Sequence, residues 1–486
     1  MFHHRYQDKN PIKKKSSIYN YLLMRITASP ARKVILPAAA LVLLYSYSAM
    51  ARVGGAGGHS GGGSHSSSHG FGGGGGGGLG IPLSPGMIVI IIIAIVLYTM
   101  FKNKLNPGGN NGQSQPIMSP GPQHQFPEGL TPEKVGTSFM ELQQAWQQQD
   151  LSKVRKWMSD GVYQRFTAQF AMMKKLTQYN RLSNIRIHNI AVASLNTDGA
   201  YQTADVAISF SMDDEFISQQ YPSLNESYEG DTDTEYWTFI KRTDSKPSGA
   251  DLYHTDNCPN CGAPLEDKLG EVSRCLSCKT LTNNAAYDWV LSEITQMEDY
   301  GGKNPLLNDA NLHELVKNDP LFSIQRMEDI ASNVFMQIME VFTGDNNKKL
   351  LRFAEASLAE KLIEQKASAG SFVFDRLYLN DVTLSQYNQA NEKLNLMFTL
   401  SATYQRVQLG SRLTALDQEM DVHRFKLVLS KDLAALNKPQ KEIAFSYECA
   451  SCGAPYDDTT NDTCSYCDAL VVDTAKNWVL TDFGGY

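Results

Sequence analysis

Three observations predict an α+β fold in two tandem copies. In each half of the chain, apolar residues recur first at helical spacing and then at period two, so helices precede strands. Each half is interrupted near its end by paired CxxC hairpins. The first pair is Cys258-Pro-Asn-Cys261-Gly-Ala-Pro with Cys275-Leu-Ser-Cys278, and the second is Cys449-Ala-Ser-Cys452-Gly-Ala-Pro with Cys464-Ser-Tyr-Cys467. The offset between copies also holds: Cys258 and Cys449 lie 191 residues apart, Cys278 and Cys467 lie 189 apart, and Trp289-Val-Leu recurs as Trp478-Val-Leu, again 189 apart. A period this long means duplicated domains rather than a solenoid.

Residues 1–51 read as a targeting segment. Residues 1–33 hold eight Lys/Arg against one Asp, a balance of +7 in a chain of net charge −7, which leaves −14 for the rest. An apolar run from Val34 ends in Ser48-Ala49-Met50-Ala51, small residues that suit cleavage before Arg52; Met24 would begin a signal peptide of more usual length. A retained first membrane segment is the alternative. Residues 52–85 are Gly/Ser/His-rich, with 16 of the 37 glycines between Gly54 and Gly80, and form a flexible tether. His59, His65 and His69 are given no role there.

Residues 86–103 are expected to span a membrane. Met87–Phe101 is a run of fifteen apolar or near-apolar residues, roughly 22 Å of helix, and snorkelling by Lys102 and Lys104 extends its reach. No Lys or Arg lies between Gly54 and Met87, so the positive-inside rule puts everything after the span in the cytoplasm. Eight cysteines kept as thiolates suit the same reducing side. Residues 104–129 are a linker rich in Pro, Asn and Gln.

The first domain is assigned to residues 130–300. Thr131-Pro132-Glu133 caps a helix whose Val135, Phe139, Leu142 and Trp146 share one face. Further helical patterns run through Val154–Met158 and through Val162, Phe166 and Phe170. Strands follow at Ile185–Ile187, Val206–Met212, Tyr236–Arg242 and Tyr287–Ile294. Asp213–Glu235 holds eight acidic residues and no Lys or Arg, and reads as a solvated loop or a docking surface for a basic partner. A calcium loop at Asp231–Glu235 would lack its hinge glycine. The second domain, 320–483, repeats the order: helix through Met327, Ile330, Val334 and Val341, more helix from Leu350 to Leu362, strands at Leu394–Ala402 and His423–Leu429, then the cysteines and Lys476–Phe483.

Four thiolates on two short hairpins can surround one tetrahedral Zn²⁺, so Cys258, Cys261, Cys275 and Cys278 form one predicted zinc ribbon and Cys449, Cys452, Cys464 and Cys467 the other. The glycine after the second cysteine lets each turn fold back beneath the metal. Disulfides are the competing reading, and a redox CxxC would not come in tandem pairs. Both ions are structural, since four sulfurs leave no open coordination site, and His254 stays outside the set. No nucleophile elbow, phosphate-binding loop or HExxH helix occurs, so no catalytic residue is assigned and an enzyme is not expected. The acidic body disfavours nucleic acid. The five tryptophans sit at periodic positions that point to core rather than to a ligand pocket.

This order of elements, after one anchor and a glycine tether, resembles bacterial proteins of the Tim44-like domain family, named for the forty-four-kilodalton inner-membrane translocase subunit. The carriers are Trp146, Trp157-Met-Ser-Asp-Gly-Val-Tyr163, Trp237-Thr-Phe-Ile-Lys-Arg242 and Trp289-Val-Leu291, with Phe425-Lys-Leu427 and Trp478-Val-Leu480 in the second copy, where Ala354-Glu-Ala356 replaces Met158-Ser-Asp160. The resemblance implies cone-shaped domains similar to nuclear transport factor two, and a scaffold that holds a protein partner at the inner membrane in protein transport or membrane-protein assembly. It also leaves open a lipid or small apolar ligand in the cone. The embedded ribbons depart from the mitochondrial members.

Overall fold

The computed structural model describes residues 124–245, 251–265, 269–436, 438, 441–456 and 462–485. The leader, the tether and the Met87–Phe101 span lie outside them. Among the described residues no helix is long and apolar enough to cross a membrane.

Helices and antiparallel sheet alternate in two units of like order. The first has α1 (Pro132–Gln148), α2 (Asp160–Lys175), β1 (Gln178–Asp198), β2 (Tyr201–Ser218), β3 (Glu226–Arg242) and β4 (Val290–Gln296). The second has α3 (Ala310–Val316), α4 (Ile324–Thr343), α5 (Ala356–Ala369), β5 (Val373–Ala390), β6 (Lys393–Gln408), β7 (Thr414–Ala415), β8 (Asp421–Asp432) and β9 (Val479–Gly485). The sheets run β1-β2-β3-β4 and β5-β6-β8-β9, with β7 on β6. Each cysteine cluster falls between the last two strands of its sheet. The duplication extends to irregularities: β1/β2 and β5/β6 each carry three register shifts, and β3/β4 and β8/β9 one each. Such bulges bend and twist a strand.

Local chemistry explains the helix starts. The Thr131 hydroxyl accepts from the Lys134 amide with Pro132 in the first turn, and Ser159 and Ser323 cap α2 and α4 in the same way. The face predicted for α1 is buried as expected, together with Trp146, Trp157, Trp237 and Trp289. Their polar edges are mostly satisfied inside: Trp146 Nε1 donates to Asn180 (3.0 Å), Trp237 Nε1 to Glu235 (2.9 Å) and Trp289 Nε1 to the Glu128 carbonyl (2.9 Å). These tryptophans are core.

Four expectations need correction. Asp213–Glu235 is not a loop: β2 continues to Ser218, β3 starts at Glu226, and Asp214, Asp233 and Glu235 are buried. Period two was hidden because the inward positions carry acids that find partners inside, Asp214 accepting from Asn180 and Glu235 from Trp237 and Gln296. The strand also rules out a calcium loop at 231–235. Val154–Met158 is a single 3-10 turn, Arg155–Trp157, because Met158 leaves it to pair with Leu291. The helix from Leu350 breaks at Phe353–Glu355 for the same reason, Ala354 bridging to Leu480 before α5 begins. Finally, β5 (Val373–Ala390) adds a strand between the expected helix and the Leu394–Ala402 strand. Its bulges at Asp375/Tyr378, Leu379/Asp381 and Leu384/Gln386 break the alternation that marks a strand.

Candidate metal centres and the seam between the units

Each CxxC hairpin is a tight turn closed by two backbone bonds. In the first ribbon the Cys258 amide donates to Ala263 O (2.7 Å) and Gly262 N to Cys258 O (2.9 Å); Cys275 N to Thr280 O and Lys279 N to Cys275 O repeat the pattern. The second ribbon does the same at Cys449/Ala454 and Cys464/Ala469. The residue after the second cysteine of every hairpin is left-handed: Gly262 at φ +73°, Lys279 at 62°, Gly453 at +78° and Asp468 at 56°. Glycine accepts this without a steric cost, and two of the four hairpins use it.

These turns bring all eight predicted ligands into two groups of four sulfurs, with His254 in neither. The sulfurs of each group lie within 4.8 Å of one another. Cys258–Cys278 and Cys261–Cys275 are 3.6 and 3.8 Å apart, and Cys449–Cys467 and Cys452–Cys464 are 3.8 and 3.7 Å. A Zn–S bond of about 2.3 Å gives a tetrahedral edge of about 3.8 Å. A disulfide would need about 2.05 Å, and the cysteines are free. Amides of Ser451 and Ala454 donate to the Cys449 and Cys452 sulfurs (3.4 and 3.5 Å). Either group could hold a metal ion.

What the ribbons touch has no sequence motif. Arg155, fully buried, donates to the carbonyls of Gly270 (3.0 Å) and Glu271 (2.7 Å) in the first ribbon, to Met158 O (2.8 Å) and to Asp160 (2.5 Å) at the start of α2. Arg274, just before Cys275, reaches across to Glu448, just before Cys449, with a two-pronged contact at 2.8 and 2.5 Å. Leu281 packs with Ala444 and Tyr447 beside this pair. The Glu448 carboxylate, 4% exposed, also accepts from the Ala444 amide. The two ribbons therefore meet base to base.

The same seam continues along α2 and α4. Asp329 of α4 accepts from Ser159 Oγ (2.5 Å) and from the Gly161 amide (3.0 Å), so one unit supplies the acceptor for a first-turn amide of the other's helix. Gln164 donates to Glu340 (2.9 Å) and accepts from Tyr447 (2.7 Å), and Gln169 donates to the Leu377 carbonyl (2.8 Å). Asp198 returns the favour by accepting from the first two amides of α4, both at 2.9 Å. Ala168, Met172, Leu176, Tyr221 and Leu224 of the first unit belong to the apolar cluster of the second. Burial raises the Asp329 carboxyl to about 7 against the pull of these hydrogen bonds, and Glu235 inside the first sheet to about 8.

Acidic side chains also gather in a cavity of about 120 Å³ lined by Asp198, Asp205, Glu293, Glu328 and Asp381, facing Lys303. They do not converge on one point as the cysteines do. Glu328 accepts from Asn304 and the Leu384 amide, and Glu293 from Gln325, so both serve the packing.

Residues 125–253 match the family model of the Tim44-like domain. The match runs from the approach to α1 through β3 and stops short of Cys258. No curated protein and no solved structure matches the chain.

Proposed function

With a Tim44-like domain at residues 125–253 as its premise, we propose that the chain is a membrane-anchored scaffold. It holds a protein partner at the cytoplasmic face of a bacterial inner membrane, in protein transport or membrane-protein assembly. The family match carries this reading, because that family is associated with membranes and with protein contacts. The Met87–Phe101 span would be the anchor, with Lys102 and Lys104 marking its inner side. Each unit is a cone of the nuclear transport factor two type, extended by a ribbon. The ribbons carry one structural Zn²⁺ each, bound by Cys258, Cys261, Cys275 and Cys278 and by Cys449, Cys452, Cys464 and Cys467. The activity is binding and not catalysis.

In-cell crosslinking with mass spectrometry is expected to recover the same protein reproducibly with the intact chain. Recovery of none, or accessibility of the C-terminal units from outside intact cells, would refute the scaffold and its orientation respectively. Metal analysis of the purified chain is expected to give two zinc ions per chain. The single-residue variants Cys258→Ser and Cys449→Ser should each lose one.

A further inference from the structure

A cleft of about 350 Å³ opens on the second unit between the start of α4, the segment entering the second ribbon and the residues before β9. Its floor is apolar, with Met327 and Ile330 on one side and Phe445 and Trp478 on the other. Its rim carries the exposed Lys438, Lys441 and Lys476, with the half-buried Arg326, which also faces Glu442, Asp319 and Asp329, beside them. Among the described lining residues the one carboxylate is Asp319, which is buried and lies 3.5 Å from the buried ammonium of Lys431. Arg326 donates to the Leu321 carbonyl and Lys441 to the Cys452 carbonyl, which holds both beside the cleft; Lys476 lies 3.5 Å from Asp473. Ammonium and guanidinium groups carry more donors than these contacts use.

We propose that this cleft takes an acidic peptide segment of a partner protein, with one aliphatic or aromatic side chain seated against Trp478 and Phe445. This rests on the scaffold reading and names the kind of partner. Complementary charge is the first reason, since the rim is a concentration of positive charge on an acidic body. The second is where the cations originate. They come from three separate segments, one on α4, one before Cys449 and one before β9. A lone anionic headgroup needs its cations to converge on one point. Carboxylates spaced on either side of an apolar anchor along an extended peptide meet such cations one after another. A floor of side chains between charged edges gives the anchor its place.

The test uses the full-length chain in nanodiscs of zwitterionic lipid and a fluorescein-labelled peptide, Glu-Asp-Leu-Phe-Asp-Glu, read by anisotropy. The amide isostere Gln-Asn-Leu-Phe-Asn-Gln is the control. The acidic peptide is expected to bind roughly tenfold more tightly than the isostere and to weaken with salt. The exposed pair Lys438→Glu/Lys476→Glu, which leaves the ribbon sulfurs untouched, should cost roughly tenfold in affinity with zinc content unchanged. Peptide should shift the emission of Trp478, the second unit's tryptophan, and Trp478→Phe should remove that shift. Equal binding of both peptides, indifference to the lysine pair, or binding of decanoate in place of peptide would each overturn the proposal. A crosslinked partner retained in full by the lysine-pair variant would overturn the cleft while leaving the scaffold standing.

Discussion

Gly161 is where the seam is most easily tested, because two physical effects predict opposite signs for Gly161→Ala. The residue is helical, in the first turn of α2, and helix propensity alone favours alanine there by up to about 1 kcal/mol. A Cβ at this position, however, would sit 2.2 Å from Asp329 Oδ1 and 2.4 Å from the Asp329 carbonyl oxygen. The carboxylate can rotate away, but the carbonyl belongs to the backbone of α4. Carbon–oxygen contacts settle near 3.3–3.6 Å, so the two units must part by about 1 Å. That stretches the bonds from Ser159 and Gly161 to Asp329 and those of Gln164 to Glu340 and Tyr447. With overpacking at about 1–3 kcal/mol and weakened buried hydrogen bonds at about 1 kcal/mol each, the net effect is a loss of about 2–4 kcal/mol. Calorimetry should show a fall of several degrees in Tm. It should also show a separation of the two units' transitions, since the contact joining them is what has been damaged. Gly136→Ala on α1 is the matched control, because its Cβ meets the movable tips of Ile190 at 3.3 Å and Ile187 at 3.7 Å and no backbone. That variant is expected to be neutral or slightly stabilising. If Gly161→Ala behaves like Gly136→Ala, the close approach at the seam is wrong.

Three other outcomes follow from the geometry. Arg274→Ala leaves the Glu448 carboxylate buried without its cation, which should destabilise by about 3–5 kcal/mol; in chelator, that variant should release its second zinc faster than the parent, and an unchanged release rate would argue against coupled ribbons. Cys258→Ser should lower zinc to one per chain and expose the first unit to proteolysis, whereas full zinc content would contradict the ligand set. For pH, the buried Asp329 and Glu235 are held neutral with pKa values of about 7 and about 8, above the ordinary carboxyl range, so the unfolded chain ionises first as pH rises. Their contribution is whole below about pH 4 and is lost as pH climbs through those values, so Tm should fall between pH 5.5 and 8.5 by an amount that Asp329→Asn reduces. A Tm that rises over that range would refute it.

The parts legible in the sequence were those fixed by local spacing. Two thiolates per hairpin, a Gly or another left-handed residue after the second, and a repeated tryptophan are all short-range facts, and the structure groups the same eight cysteines. The α1 face and the Val206–Met212 strand show clean periods for the same reason. What local spacing does not encode is long-range. β5 loses its alternation to bulges that only make sense opposite β6, and the buried acids of β2 and β3 look like solvent-facing residues until Asn180, Trp237 and Gln296 are in place. The seam has no motif. Its one trace lies between the copies: Ala168 and Met172 in α2 stand where α5 has Glu364 and Ser368, counting from the matching bridges at Met158 and Ala354.

That trace bears on how many units can assemble. α2 of the first unit packs on α4, and the counterpart of α4 in the first unit is α1, so unlike faces meet. A contact between unlike faces is head-to-tail; repeated from molecule to molecule it would build a ring or an open fibre. The second unit ends the row. Its α5 presents Glu360, Glu364 and Ser368 to solvent at the positions where α2 presents Gln164, Ala168 and Met172 to its neighbour. Charge on the terminal face lets the chain use a head-to-tail geometry once and stop there. Restoring the apolar pair with Glu364→Ala and Ser368→Met would remove that stop.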